Sequence, residues 1–184
     1  MLKTVASPLT VADYLELPQG PPYCQLIEGD LFVAPSPNSY HQDILGNLYL
    51  ALRLYLLEAK TGTVRLTPSD VQLSDLNVYQ PDLYYVSKAR RSVLTEQGAS
   101  GAPDLVVEIL SPKTAKLDRG IKRSVYARTG VEELWIVDPD KKRVEIYRLG
   151  ESADAPVASY GVRQKFESAL FPGLKISVAK VFQR

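Results

Sequence analysis

The sequence predicts an α+β protein, a mixed α/β arrangement in which a sheet is flanked by helices, on three observations. Apolar residues recur at helical spacing from Ile44 to Leu56. Runs rich in Val, Ile, Leu and Tyr, suited to strands, follow at Val64–Leu66, Val71–Leu73, Tyr79–Val86 and Leu105–Leu110. A second helical pattern from Thr114 to Thr129 precedes two further strands, so the order is helix, strands, helix, strands. At 184 residues and 45% hydrophobic, the chain is expected to form one domain over 1–184 with a core that needs no disulfide.

Each element has a local reason. Thr10 and Asp13 open a short helix ending near Leu17, and Pro18 to Pro22 break it. Cys24 to Val33 reads as a hairpin turning at Glu28-Gly29-Asp30. Ser39 and Gln42 have capping-box spacing ahead of Leu45, Leu48, Leu52, Tyr55 and Leu56, while Leu50, Leu54 and Leu57 form a second stripe. A helix apolar on two sides is expected to be covered on both, by the sheet and by another helix or a second copy of the chain. In the second helix Leu117, Ile121 and Val125 form the expected core-facing stripe, with Gly130 as its stop. Glu133–Val137 and Arg143–Leu149 flank the turn Asp138-Pro139-Asp140-Lys141, and Leu174–Val178 reads as a last short strand.

Composition narrows the chemistry. With 22 basic and 21 acidic residues no global field gathers polyanions. One Cys and one His supply no multi-thiolate zinc site, so a divalent metal would sit on oxygen ligands, which favours Mg²⁺, Mn²⁺ or Ca²⁺. The N-terminus lacks the apolar run of a signal peptide, and no window reaches the length of a membrane span; a soluble, cytoplasmic protein with no membrane partner is expected.

Glu108 interrupts the otherwise apolar strand Leu105-Val106-Val107-Glu108-Ile109-Leu110. Burying an ionised carboxylate costs several kcal/mol unless it is paired or binds a metal, so Glu108 calls for a partner, either a structural cation or a metal. Strand alternation puts Asp104, Val106, Glu108 and Leu110 on one face, and Asp82, Tyr84 and Val86 on one face of the other strand. Asp82, after Pro81, is by itself a turn carboxylate; beside Glu108 it is half of a two-carboxylate site of the kind that holds Mg²⁺. Asp118, Lys122 and Tyr126 share a helical stripe, and an Asp118–Lys122 pair on a surface is worth only a few tenths of a kcal/mol. Lys113, Lys116, Arg119, Lys122 and Arg123 give that helix a local basic surface, a solvated face or a phosphate-binding edge. His41 at the start of the long helix is either a hydrogen-bonded structural residue or a general base. Neither a phosphate loop, a dinucleotide turn nor a hydrolase elbow is present. Cys24 reads as a core residue of the hairpin.

Pro81-Asp82, then Pro103-Asp104-Leu105-Val106-Val107-Glu108-Ile109-Leu110-Ser111-Pro112, then Asp118-Arg119 with Lys122 and Tyr126, then Gly130-Val131, Trp135 and Val137-Asp138-Pro139 resemble the Uma-two-type restriction endonuclease family of the PD-(D/E)XK nuclease superfamily. The resemblance runs from the Thr10 helix to Leu149. It implies a restriction-endonuclease-like core over about 39–149, preceded by a helix and hairpin at about 10–35 and followed by a strand extension at 150–184. It implies that Asp82, Glu108 and the backbone carbonyl of Ile109 hold Mg²⁺ or Mn²⁺, and that DNA is the substrate. The superfamily's lysine position, two residues after the Glu, is Leu110 here, so Lys122 is its implied substitute. His41, Asp104, Ser111, Asp118, Arg119 and Tyr126 are implied to support the site or contact substrate. The family's usual Glu in the first hairpin is Gln25 here, which removes a negative charge from the site. The expected protein is a metal-dependent endonuclease and a homodimer. Two alternatives stand beside it: a catalytically weakened nucleic-acid-binding or interaction module with the same fold, and carboxylates that serve only a structural ion-pair network.

Overall fold

A computed structural model describes residues 7–18 and 20–184. Residues 1–6, the start of the segment read for a signal peptide, and Gln19, within the expected helix break, lie outside them.

Helix α1 (Val11–Leu15) is closed by a capping box in which Asp13 Oδ2 accepts the Thr10 N–H at 2.7 Å and the Thr10 hydroxyl accepts the Asp13 N–H. Strands β1 (Cys24–Ile27) and β2 (Asp30–Val33) form the hairpin. Ile27 pairs with Asp30, which leaves Glu28-Gly29 as a two-residue turn with φ of 51° and 82°. Cys24 is half-buried rather than a core residue, because it lies at the open end of this hairpin.

Helix α2 (Ser39–Ala59) starts one residue earlier than expected: Asn38 is the cap, its Oδ1 accepting the His41 N–H at 2.9 Å, in place of a Ser39–Gln42 box. Ile44, Leu45, Leu48, Leu52 and Leu56 are buried. Leu50, Leu54 and Leu57 are 56, 56 and 52% exposed, so of the two covers expected for this stripe a second helix is not the one found. They lie opposite the buried stripe, where no other element of the described residues covers them.

Strands β3 (Gly62–Leu66), β4 (Asp70–Ser74), β5 (Asn77–Tyr79) and β6 (Leu83–Ser87) follow. The expected run Tyr79–Val86 is thus two strands in two sheets, divided at Gln80-Pro81-Asp82, because Pro81 has no N–H to give a ladder. A 3₁₀ turn (Arg91–Val93) and β7 (Gly98–Ser100), both too short to leave a pattern, lead to β8 (Leu105–Ile109). The second helix is α3 (Ala115–Leu117), a π-helical segment (Asp118–Lys122) and α4 (Arg123–Thr129), ended by Gly130 with φ of 94°. Strands β9 (Glu133–Asp138), β10 (Arg143–Arg148), β11 (Ala158–Gly161), β12 (Lys165–Phe166) and β13 (Ile176–Ser177) and helix α5 (Val178–Val181) complete the chain. The strand expected at Leu174–Val178 is therefore shorter and passes directly into α5.

A six-stranded sheet has the order β11-β10-β9-β8-β6-β3, and a five-stranded sheet the order β2-β1-β5-β4-β7. In the larger sheet β8 and β9 are parallel and joined through the second helix, whereas the other neighbours are antiparallel. One face packs on α2 and α5 through Leu48, Leu52, Leu105, Val107 and Trp135. The other packs Tyr84, Val106, Leu134 and Ile136 against Val125 and Tyr126 of α4 and Val71 and Tyr79 of the smaller sheet. A sheet covered on both faces explains the otherwise apolar character of β8, and sets Glu108 apart within it.

Candidate active site

Strands β6 and β8 place the two carboxylates. Their register pairs Leu83 with Val107 and Tyr84 with Val106, so one step further on Asp82 lies opposite Glu108. Asp82 is held there by the backbone of the adjacent strand β8: its Oδ2 accepts the Ile109 N–H at 2.7 Å. The strand end, where Pro81 interrupts the ladder, opens into a cleft of about 390 Å³ lined by Gln25, His41, Asp82, Glu108, Ser111 and Lys122 among others.

The second helix completes the site through its π segment. A straight α-helix would turn Ile121 inward with Leu117 and Val125, as the apolar spacing predicts, and set Asp118 and Lys122 on the adjacent stripe. Instead Ile121 is 39% exposed while Asp118 and Lys122 are buried. The wider π turn, with Gly120 at non-helical angles, rotates the helix face so that the polar stripe meets the sheet. Lys122 Nζ lies 2.6 Å from Glu108 Oε1 and 3.0 Å from Asp118 Oδ1. Tyr126 donates its hydroxyl proton to the same Glu108 oxygen at 2.5 Å. The Asp118–Lys122 pair is thus part of an enclosed cluster and not a surface salt bridge.

Burial dominates the electrostatics. It pushes the Glu108 carboxyl above the ordinary carboxylate range, with Lys122 opposing. Burial also pulls the Lys122 ammonium down, but Glu108 and Asp118 outweigh it and hold the ammonium above its usual value. His41 Nε2 is 3.2 Å from Asp82 Oδ1, and its Nδ1 is buried without a hydrogen-bond partner among the described residues. Burial lowers this imidazole, while Asp82, the Ile109 backbone and Glu108 together raise it.

Other expected residues divide into two groups. Ser111 lines the cleft and shares a hydrogen bond with the Thr114 hydroxyl at 3.0 Å, closing the turn before α3. Gln25 also lines it, and its Oε1 accepts the Gln80 N–H at 3.1 Å, which ties the amide oxygen to the backbone. Asp104 is not at the site. It sits at the far end of β8, where it accepts the Ser87 N–H at 2.6 Å and faces Arg90. Arg119 points away as well, pairing with Glu145 at 2.5 Å and Asp138 at 3.3 Å, which fastens the π segment to β9 and β10. The basic surface expected on this helix is smaller than its composition implies. Lys122 is buried, Arg119 is paired and Arg123 donates to the Asp154 carbonyl, which leaves Lys113 and Lys116 exposed. The cleft also takes in Asn38 and Thr67, which the sequence reading passed over. Asn38 carried a usable signal as a helix cap, whereas Thr67 lies in a turn without any.

The cleft is lined by the hard oxygen donors of Asp82 and Glu108, beside the half-buried His41, whose buried Nδ1 lacks a partner among the described residues. Among the described residues no group of three or more His, Cys, Asp or Glu side chains is arranged to hold a metal. Two carboxylates with the balance of the shell left to water is a set that fits Mg²⁺ or Mn²⁺. Among the described residues no helix is long and apolar enough to cross a membrane.

The Uma2 family model, described as "Putative restriction endonuclease", matches residues 11–179. Among solved structures, the chain is similar to "a putative nuclease belonging to DUF820 from Anabaena variabilis ATCC 29413", with a TM-score of 0.79 at 20% identity over 95% of this chain and 98% of that one. At that identity the likeness shows the fold. No curated protein matches the chain.

Proposed function

The chain belongs to the Uma2 family, and from that premise we propose that it is a metal-dependent endonuclease hydrolysing DNA phosphodiester bonds in the Asp82–Glu108–Lys122 cleft. The observation that carries this reading is the convergence of Asp82, Glu108 and Lys122 on one concave site, from two strands and a helix. Asp82, Glu108 and the Ile109 carbonyl are the residues that would hold Mg²⁺ or Mn²⁺. When bound, such an ion polarises the scissile phosphate and lowers the pKa of a water. Lys122 supplies positive charge to the phosphate oxygens as the in-line attack develops, and its enclosure makes that charge count for more than at a surface. His41 lies beside Asp82 and holds its carboxylate in position. Tyr126 and Asp118 fix Glu108 and Lys122 in place.

A single domain spanning 1–184 acts as the unit, and the exposed Leu50, Leu54 and Leu57 support pairing with a second copy through α2. An antiparallel pair of α2 helices centred between residues 51 and 52 sets exposed Asp43 of each copy against Lys60 of the other, and Gly46 against Leu57. Neither Asp43 nor Lys60 has an ion-pair partner within the described residues.

The test is cleavage of plasmid and single-stranded DNA with Mg²⁺ or Mn²⁺, comparing the wild type with Asp82→Ala and Glu108→Ala. Loss of cleavage in both is expected, and cleavage that survives both substitutions overturns the assignment. One observation favours a second reading, a nucleic-acid-binding module with weakened catalysis: Gln25 stands where the family usually has an acid. Salt-dependent DNA binding without calorimetric uptake of Mg²⁺ or Mn²⁺ would select it.

A further inference from the structure

Thr67 lines the cleft, and its chain neighbours Leu66 and Pro68 line a second, open groove of about 470 Å³. This groove follows β3, the edge strand of the six-stranded sheet, between Tyr49 and Arg53 of α2 on one side and Glu96-Gln97 on the other. Arg53 and Arg65 both line it, both are exposed, and neither has an ion-pair partner among the described residues. Arg90 pairs with Asp104 and Glu132, Arg119 with Asp138 and Glu145, Arg128 with Glu28 and Arg148 with Glu151, whereas Arg91, Arg123, Arg143, Arg163 and Arg184 share with Arg53 and Arg65 the lack of an ion pair among the described residues but do not line this groove. Glu96 is the acid that lines the same groove.

We infer that this groove is a second phosphate-binding stretch, in which Arg65 and Arg53 each take a backbone phosphate of the DNA that flanks the scissile bond. The inference rests on the endonuclease reading and adds to it where the substrate runs. Guanidinium forks bind phosphate oxygens in pairs, and unpaired ones give up no existing partner to do so. The dimensions agree with a strand of nucleic acid. Arg65 is two strand residues from Thr67, about 7 Å. Arg53 is twelve helical residues from His41, about 18 Å along α2. At about 3.4 Å per phosphate of one strand, Arg65 meets the backbone about two base pairs from the cleft and Arg53 about five. Tyr49 offers a ring edge to the sugars between them, and Glu96 bounds the far wall by repelling phosphate.

The experiment measures binding of duplex DNA by fluorescence anisotropy as a function of salt, in Glu108→Gln background so that nothing is cut. Each phosphate contact contributes about 0.9 to the slope of log affinity against log salt, so Arg53→Gln and Arg65→Gln each lower the slope by about that amount. Glu96→Gln is expected to strengthen binding. Duplexes ending about three base pairs from the cut should lose the effect of Arg53→Gln while keeping that of Arg65→Gln. Thermal melting of each variant shows that these exposed substitutions leave the fold intact. Binding by the parent protein with slopes unchanged in both arginine variants overturns the groove and leaves the endonuclease reading standing. A parent protein that binds no DNA at low salt, with plasmid cleavage by the wild type also absent, overturns both.

Discussion

Lys122 Nζ stands 2.6 Å from Glu108 Oε1 across the interface between the second helix and β8, with both side chains 5% exposed or less. A buried pair of this kind is weak evidence of stabilisation over an apolar pair, but removing one member leaves a desolvated charge. Lys122→Met is therefore expected to lose about 3 kcal/mol of unfolding free energy in urea, and Lys122→Met with Glu108→Gln to recover part of it. Equal stability of the wild type and Lys122→Met would mean that the cluster holds no net charge in the folded state. Cleavage should fall by about 100-fold or more in Lys122→Met, as for other lost donors to a developing oxyanion.

Gln25 offers a gain-of-function test. Its Oε1 already accepts the Gln80 N–H, a bond that one oxygen of a glutamate can keep while the other faces the cleft. Gln25→Glu is expected to tighten Mn²⁺ binding by about tenfold, since an added carboxylate raises the charge count of an oxygen-ligand site. Isothermal calorimetry with Mn²⁺ alone reads this without reference to cleavage. Unchanged affinity would place the metal away from β1.

Glu133, at the opposite end of the sheet, gives the fold a pH dependence. Burial raises its carboxyl above the ordinary value, and Trp135 Nε1–H donates to Oε1 at 2.5 Å. A folded-state pKa above the unfolded one means that the folded protein binds the extra proton. The resulting stability is complete below the unfolded pKa, about 4.3, and is lost as pH rises through the folded value. Glu133→Gln keeps the acceptor for Trp135 and removes the ionisation. Its Tm should exceed that of the wild type at pH 7, with the difference vanishing near pH 4. A constant difference across that range would assign the effect to packing.

The α2 surface predicts association. Leu54→Glu places a like charge at the centre of the antiparallel pair and is expected to convert a dimer to a monomer in sedimentation equilibrium, without a change in helix content. Asp43→Lys should weaken the dimer and Asp43→Lys with Lys60→Asp restore it. A monomeric wild type at micromolar concentration would overturn the pairing.

Local chemistry made much of the fold legible. The Thr10–Asp13 capping box, the Glu28-Gly29 turn, the Gly130 stop and the apolar runs of β8 and β9 appear where side-chain type and spacing put them. The oddity of Glu108 was visible for the same reason, since a carboxylate within a doubly covered strand contradicts its neighbours. The exposed Leu50, Leu54 and Leu57 show the limit of such reasoning: a helical pattern reports which residues are apolar, and what covers them depends on elements far away in sequence or on another copy.

Which face of the second helix meets the sheet was decided by tertiary packing. Periodicity assumes 3.6 residues per turn and therefore turned Ile121 inward. The π segment between Asp118 and Lys122 exists because a buried Glu108 and the Tyr126 hydroxyl reward a register that spacing alone disfavours. Asp104 and Arg119 went the other way, claimed by Ser87 and Glu145. The residue types and their order carried the carboxylates, the lysine and the strands that bear them. Their convergence, and the helix distortion that encloses Lys122, came from long-range contacts in which desolvation and charge outweigh local helical preference.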